Sequence, residues 1–119
     1  MRIHHVALRV QDCERAAAFY SRVLGLSESR RLFEGGVLRT IWLEADGALL
    51  MLERALRGSG AEAGSGHLLA FAIEDLGEWE QRLAAAGVAV EDRTPSTLYV
   101  RDPDGHRVGL SSYRAAARD

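Results

Sequence analysis

The sequence predicts an α+β fold made of two tandem βαβββ modules, and three observations carry that reading. The first is an internal repeat: Ile3–Asp12 realigns with Gly66–Asp75 at an offset of 63 residues, about half of the 119-residue chain. The second is alternation. Val6, Leu8 and Val10 in one copy and Leu69, Phe71 and Ile73 in the other are large and apolar at every second position, the pattern of a strand that buries one face. The third is order, since each strand is followed by a helix-period stripe and then by three extended runs punctuated by turns.

Each element has its local reason. Asp12 and Asp75 stand where a side-chain oxygen caps a helix start, and Glu78 adds an acidic version of the capping box behind Asp75. The first helix carries Cys13, Ala16, Ala17, Tyr20, Val23 and Leu24 at helical spacing; the second carries Leu76, Trp79, Leu83 and Ala86. Gly25 and Gly87 end them. Strands are expected over 27–33, 37–45 and 48–53, then over 88–91, 97–101 and 107–112. Asp46-Gly47 is a hairpin turn, and Asp102-Pro103-Asp104-Gly105 is a second turn. The modules therefore run 1–56 and 66–113 within a single domain, joined by a glycine-rich linker over 57–65 that is expected to be mobile.

Composition narrows the function. A formal charge of −2, from 15 basic and 17 acidic residues, lacks the electrostatic footprint of a nucleic-acid binder, so a partner must be recognised locally. No apolar run reaches the roughly 18–20 residues of a membrane span. A lone cysteine, Cys13, makes no internal disulfide and reads as a buried structural thiol. With no secretion signal ahead of the first strand, a cytoplasmic location is expected.

Three motifs in order, His5 with Val10, Phe19-Tyr20-x-x-Val23-Leu24-Gly25-Leu26, and Asp102-Pro103-Asp104-Gly105, make the chain resemble the vicinal oxygen chelate superfamily of glyoxalases, bleomycin-resistance proteins and extradiol dioxygenases. The resemblance covers essentially the whole chain. It implies that the strands form a cupped mixed sheet with helices packed outside and a small-molecule ligand inside. The chemistry does not follow, because this fold hosts unrelated reactions.

Strand alternation then assigns faces. With Val6, Leu8 and Val10 toward the helix, His5, Ala7 and Arg9 face the cup. A two-residue turn at Asp46-Gly47 pairs Glu44 with Leu49, Trp42 with Met51 and Thr40 with Glu53, so Trp42, Met51 and Glu53 line the cup; the family pattern adds Tyr99, Arg107, Gly109 and Ser111. Metal-using relatives carry ligands at four such positions. His5 matches the first, Met51 stands at the second with Glu53 two residues on, and Gly109 stands at the fourth. The third is a matter of register: His67 precedes Ile73 by six residues where His5 precedes Val10 by five, so Leu68 is the mate of His5, and His67 points away unless a bulge near 64–66 shifts the strand. One surviving ligand falls short of the three that a catalytic divalent site requires.

The expected function is therefore binding of a small, partly aromatic or anionic molecule without metal or other cofactor. His5, Arg9, Glu53 and Arg107 would supply polar contacts, and Trp42, Met51 and Tyr99 an apolar wall. Each has a plainer reading: His5 as a relic, the arginines as surface ion pairs, Glu53 as a strand-end charge, the apolar three as cup-filling core. No catalytic residue is assigned. The rival is an enzyme (a lyase, glutathione-type transferase or dioxygenase) using a divalent metal on His5, Glu53 and a shifted His67. A purely structural or regulatory module is the third alternative. Open sheet edges point to a homodimer.

Overall fold

Strand β1 (His5–Arg9) sits beside β4 (Ala48–Glu53) in parallel, and that pairing sets the faces of the first sheet. In a computed structural model describing residues 1–58 and 66–113, the chain divides into two units, Met1–Gly64 and Ser65–Asp119. Residues 59–65 of the expected linker lie outside the described ones. Among the described residues, no helix is long and apolar enough to cross a membrane.

In the first unit, β2 (Ser27–Glu34) and β3 (Val37–Ala45) complete a mixed four-stranded sheet of order β1-β4-β3-β2. Ile41, Leu43, Leu50 and Leu52 are all buried on one face, where α1 (Cys13–Ala17) packs against β3 and β4. Removing these side chains from water is what holds helix to sheet. The Asp12 carboxylate accepts the Arg15 N–H at 3.1 Å, the cap expected from the sequence. Asp46 (φ 50°) and Gly47 (φ 87°) form the β3–β4 turn in the left-handed region, which Gly tolerates without strain.

The first helix departs from expectation. Beyond Ala17 it widens into a π-helical segment, Ala18–Val23, and the Leu24 N–H donates to the Phe19 carbonyl at 3.1 Å. Within this wider segment the consecutive residues Phe19 and Tyr20 are both buried, their rings edge to face at 5.0 Å.

Cys13 is 2 % exposed, its Sγ 3.5 Å from the carbonyls of Arg39 and Leu52. Burial pushes its thiol above the ordinary range, so the nucleophilic thiolate is scarce. Cys13 is expected to resist iodoacetamide at pH 8 in the folded protein and to react fully in denaturant; mass spectrometry showing equal rates in both states would contradict this placement.

The second unit repeats the plan with β5 (Leu69–Ala72), α2 (Leu76–Ala85), β6 (Asp92–Arg93), β7 (Thr97–Arg101) and β8 (Arg107–Ser111), in sheet order β5-β8-β7-β6. Asp75 caps α2 through the Glu78 N–H at 3.2 Å, and Leu83, Leu98, Val100, Val108 and Leu110 form the buried layer. Two expectations are corrected. The run 88–91 is not a strand: the Val88 N–H closes the helix end on the Leu83 carbonyl at 2.9 Å, and only its last residue, Glu91, bonds to β7, through the Tyr99 carbonyl at 2.9 Å, ahead of the strand Asp92–Arg93. Trp79 is half-buried rather than core, with the Arg82 guanidinium 4.7 Å from its ring centroid.

Candidate functional site

The face of each sheet opposite its helix carries the candidate residues, and strand register places them. In the first unit one row runs Ala7–Met51–Trp42–Arg30 and the next Arg9–Glu53–Thr40–Leu32. His5 pairs with Leu49 and stands on the same face, exposed at the start of β1. The expected pairings Glu44–Leu49, Trp42–Met51 and Thr40–Glu53 all occur. In the second unit the matching row runs Ala70–Gly109–Tyr99–Asp92, with Ala72–Ser111–Thr97 beside it. Trp42 and Tyr99 are thus structural mates, each lying across from the position where chelating relatives carry their carboxylate.

Met51 is 8 % exposed, while Trp42, Tyr99 and Glu53 are half-buried. Each aromatic ring has an arginine over it. The Arg30 guanidinium lies 5.3 Å from the Trp42 centroid, and that of Arg107 lies 4.2 Å from the Tyr99 centroid. Arg30 reaches this face because a bulge between Glu28 and Arg30 shifts the register of β2, which residue spacing did not disclose.

The two arginines proposed as anion contacts are engaged within the protein. Arg9 donates through Nη2 to the carbonyls of Leu56 and Gly58, the latter at 2.6 Å, and so holds the chain that leaves β4. Arg107 lies 3.5 Å from Glu91 and 3.6 Å from Asp92. The Arg101 guanidinium, hydrogen-bonded at 3.0 Å, and then that of Arg107 hold the Glu91 carboxyl below its usual range. The contribution of these pairs is complete above the ordinary carboxylate range and fades as pH falls through the lowered value.

His67 and Leu68 lie just ahead of the paired part of the second sheet. Strand β5 pairs with β8 without a break from Leu69 to Ala72. A Cβ added at Gly109 would stand 3.5 Å from Leu68 Cδ1, 3.4 Å from Ala70 Cβ and 3.6 Å from Thr97 Cγ2, so Leu68 leans onto the inward face. His67, one residue earlier and outside the paired strand, is exposed, and alternation continued back from β5 would turn it to the opposite face. The four positions used by chelating relatives therefore hold one imidazole, one thioether, one isobutyl group and no side chain. One imidazole and one thioether, with no carboxylate at any of the four positions, do not fit a divalent ion. His5 Nδ1 instead meets His4 Nδ1 at 2.8 Å.

Besides Arg30, a further inward residue was not singled out from the sequence. Thr40 is 3 % exposed, yet its Oγ1 has no hydrogen-bond partner among the described residues, and the same holds for the buried Nε1 of Trp42. The hairpin count that placed Trp42 also placed Thr40; only its burial was illegible.

Comparison with known proteins agrees with this architecture. The chain is similar to the glutathione transferase FosA of Serratia marcescens, with 28% identity over 123 aligned positions that cover 98% of this chain and 84% of that protein. A lactoylglutathione lyase from Agrobacterium tumefaciens superposes with a TM-score of 0.69 at 26% identity, covering 92% of both chains. TnmS3, an antibiotic-binding protein from Streptomyces sp. CB03234, shares the fold with a TM-score of 0.71 at 24% identity, covering 93% of this chain and 94% of its own. The sequence profile of one family spans residues 2–110, and the chain accordingly belongs to the Glyoxalase/Bleomycin resistance protein/Dioxygenase superfamily.

Proposed function

We propose that this protein binds a small, partly aromatic organic molecule on its inward faces and needs no resident metal to do so. The observation that carries the reading is the pair of matched rows, Ala7–Met51–Trp42 and Ala70–Gly109–Tyr99, which set an aromatic ring beside alkyl or thioether groups where chelating relatives carry ligands. Flat, polarizable surfaces suit planar ligands. Glu53 and His5 add polar contacts at the rim, and the fold serves antibiotic binding in TnmS3. Binding of this kind needs no bond-breaking step, and we assign none.

The test has two arms. Purified protein is expected to hold far less than one equivalent of Fe, Mn, Ni or Zn; near-stoichiometric metal that disappears in His5→Ala would overturn the metal-free reading. In a thermal-shift screen of planar aromatic compounds, a hit is expected to lose at least about tenfold in affinity in Trp42→Ala, the scale of a buried aromatic anchor. The competing reading is a metal-dependent lyase or transferase on His5, Glu53 and His67, favoured by the similarity to FosA and the lactoylglutathione lyase. It requires His67 on the face where Leu68 stands. We also propose a homodimer in the cytoplasm; a monomeric mass by light scattering would contradict the first.

A further inference from the structure

The two units contain an internal control. Thr40 lies across from Glu53 on β3–β4, and Thr97 lies across from Ser111 on β7–β8, the same place in each sheet. Both threonines are buried, at 3 % and 9 % exposure. Their hydroxyls fare differently. Thr97 Oγ1 and Ser111 Oγ share a hydrogen bond of 2.8 Å, whereas Thr40 Oγ1 has no partner among the described residues. Two residues along the same strand, and on the same face, the buried Trp42 Nε1 has none either. Native structures keep few such atoms, because each forfeits its hydrogen bonds to water without replacement. Two on consecutive inward positions of one strand, against a satisfied counterpart in the repeat, mark a site that an outside group completes once the side chains covering these atoms shift.

The chemistry of these groups specifies what completes it. An indole N–H only donates, so an acceptor must face Trp42; a hydroxyl both donates and accepts; an ionised carboxylate at Glu53 only accepts. Glu53 makes no ion pair among the described residues, whereas Arg9 beside it is turned to the carbonyls of Leu56 and Gly58. An anion placed beside Thr40 would face Glu53 with the Arg9 guanidinium already engaged, while the Arg30 guanidinium stays over the Trp42 ring. With Arg30 lying over the Trp42 ring, the indole edge with its N–H is the recognition element.

We infer that the inward edge of β3 recognises an uncharged or cationic planar molecule through one polar edge, a carbonyl-type oxygen accepting from Trp42 Nε1 and a neighbouring N–H or O–H meeting Thr40 Oγ1 and Glu53. Aromatic amides, lactams and hydroxy-ketones belong to this class; aromatic carboxylates do not. The inference rests on the proposed binding function and narrows it.

The test compares 2-naphthamide with its near-isosteric anion 2-naphthoate, and with naphthalene, by ligand-observed NMR titration. The amide is expected to bind at least about tenfold more tightly than the carboxylate, and Thr40→Val and Trp42→Phe are each expected to weaken it about fivefold or more. Glu53→Gln is expected to narrow the gap by admitting the anion. A second measurement needs no ligand: Thr40→Val should raise the melting temperature of the free protein and Thr97→Val should lower it, since only the second breaks a hydrogen bond. If the carboxylate binds as well as the amide, or if neither β3 variant changes amide binding, this inference falls and the binding function stands. Should none of the three probes bind, the function falls with it.

Discussion

Gly109→Glu is expected to destabilise the protein by about 2 kcal/mol, the scale of a carboxylate set against apolar neighbours at a buried backbone position. The glycine is buried, Tyr99 lies directly across from it, and Leu68, Ala70 and the Thr97 methyl already surround the place where a side chain would begin. A single Cβ there meets neighbours at 3.4 to 3.6 Å, which is ordinary contact. Gly109→Ala should therefore stay within about 0.5 kcal/mol of wild type, or gain slightly from the reduced freedom of the unfolded chain. Urea denaturation measures both. The glutamate is the residue that would rebuild the fourth ligand position of chelating relatives, so the experiment also probes ancestry. A Gly109→Glu protein as stable as wild type that takes up one equivalent of Mn would show that the inward face is not packed as described.

Asp102→Ala is expected to cost a comparable amount, about 2–3 kcal/mol, through backbone groups left without partners. Asp102 is 5 % exposed, and its Oδ1 accepts the N–H groups of Asp104 and His106, each at 2.9 Å. Together with the Gly105 N–H donating to the Asp102 carbonyl at 3.0 Å, these bonds shape the β7–β8 turn. Asp102→Asn keeps the acceptor oxygen and should lose only about 1 kcal/mol. The loss should carry a functional signature as well, since the turn aligns Tyr99 with Gly109 and Arg101 with Arg107. If both variants melt within a degree of wild type, the carboxylate is not the clasp described here.

The legibility of this fold follows from how local each cause is. Alternation along β1 and the Asp46-Gly47 turn fixed which residues share a face, because a strand flips sides at every residue and a two-residue turn leaves one register. The counting of His67 against Leu68 rests on that same rule. What stayed hidden depends on nonlocal or backbone partners. Arg9 reaches the carbonyls of Leu56 and Gly58, groups every residue carries, so nothing in the side-chain pattern announces the contact. The bulge near Ser29 that brings Arg30 to Trp42 has no signature glycine, and the π-helical widening at Ala18–Val23 accompanies the joint burial of two rings. The run 88–91 alternates like a strand, yet the helix end claims its first amide.

The hydrogen bond between Thr97 and Ser111 bears on how a duplicated gene diverges. A copy whose inward hydroxyls answer each other is filtered by folding alone, so positions 97 and 111 are expected to drift among descendants as a compensating couple. Thr40 Oγ1 and Trp42 Nε1 have no such internal creditor among the described residues, and under the proposed binding function their drift would be filtered by whatever molecules a host meets, lineage by lineage.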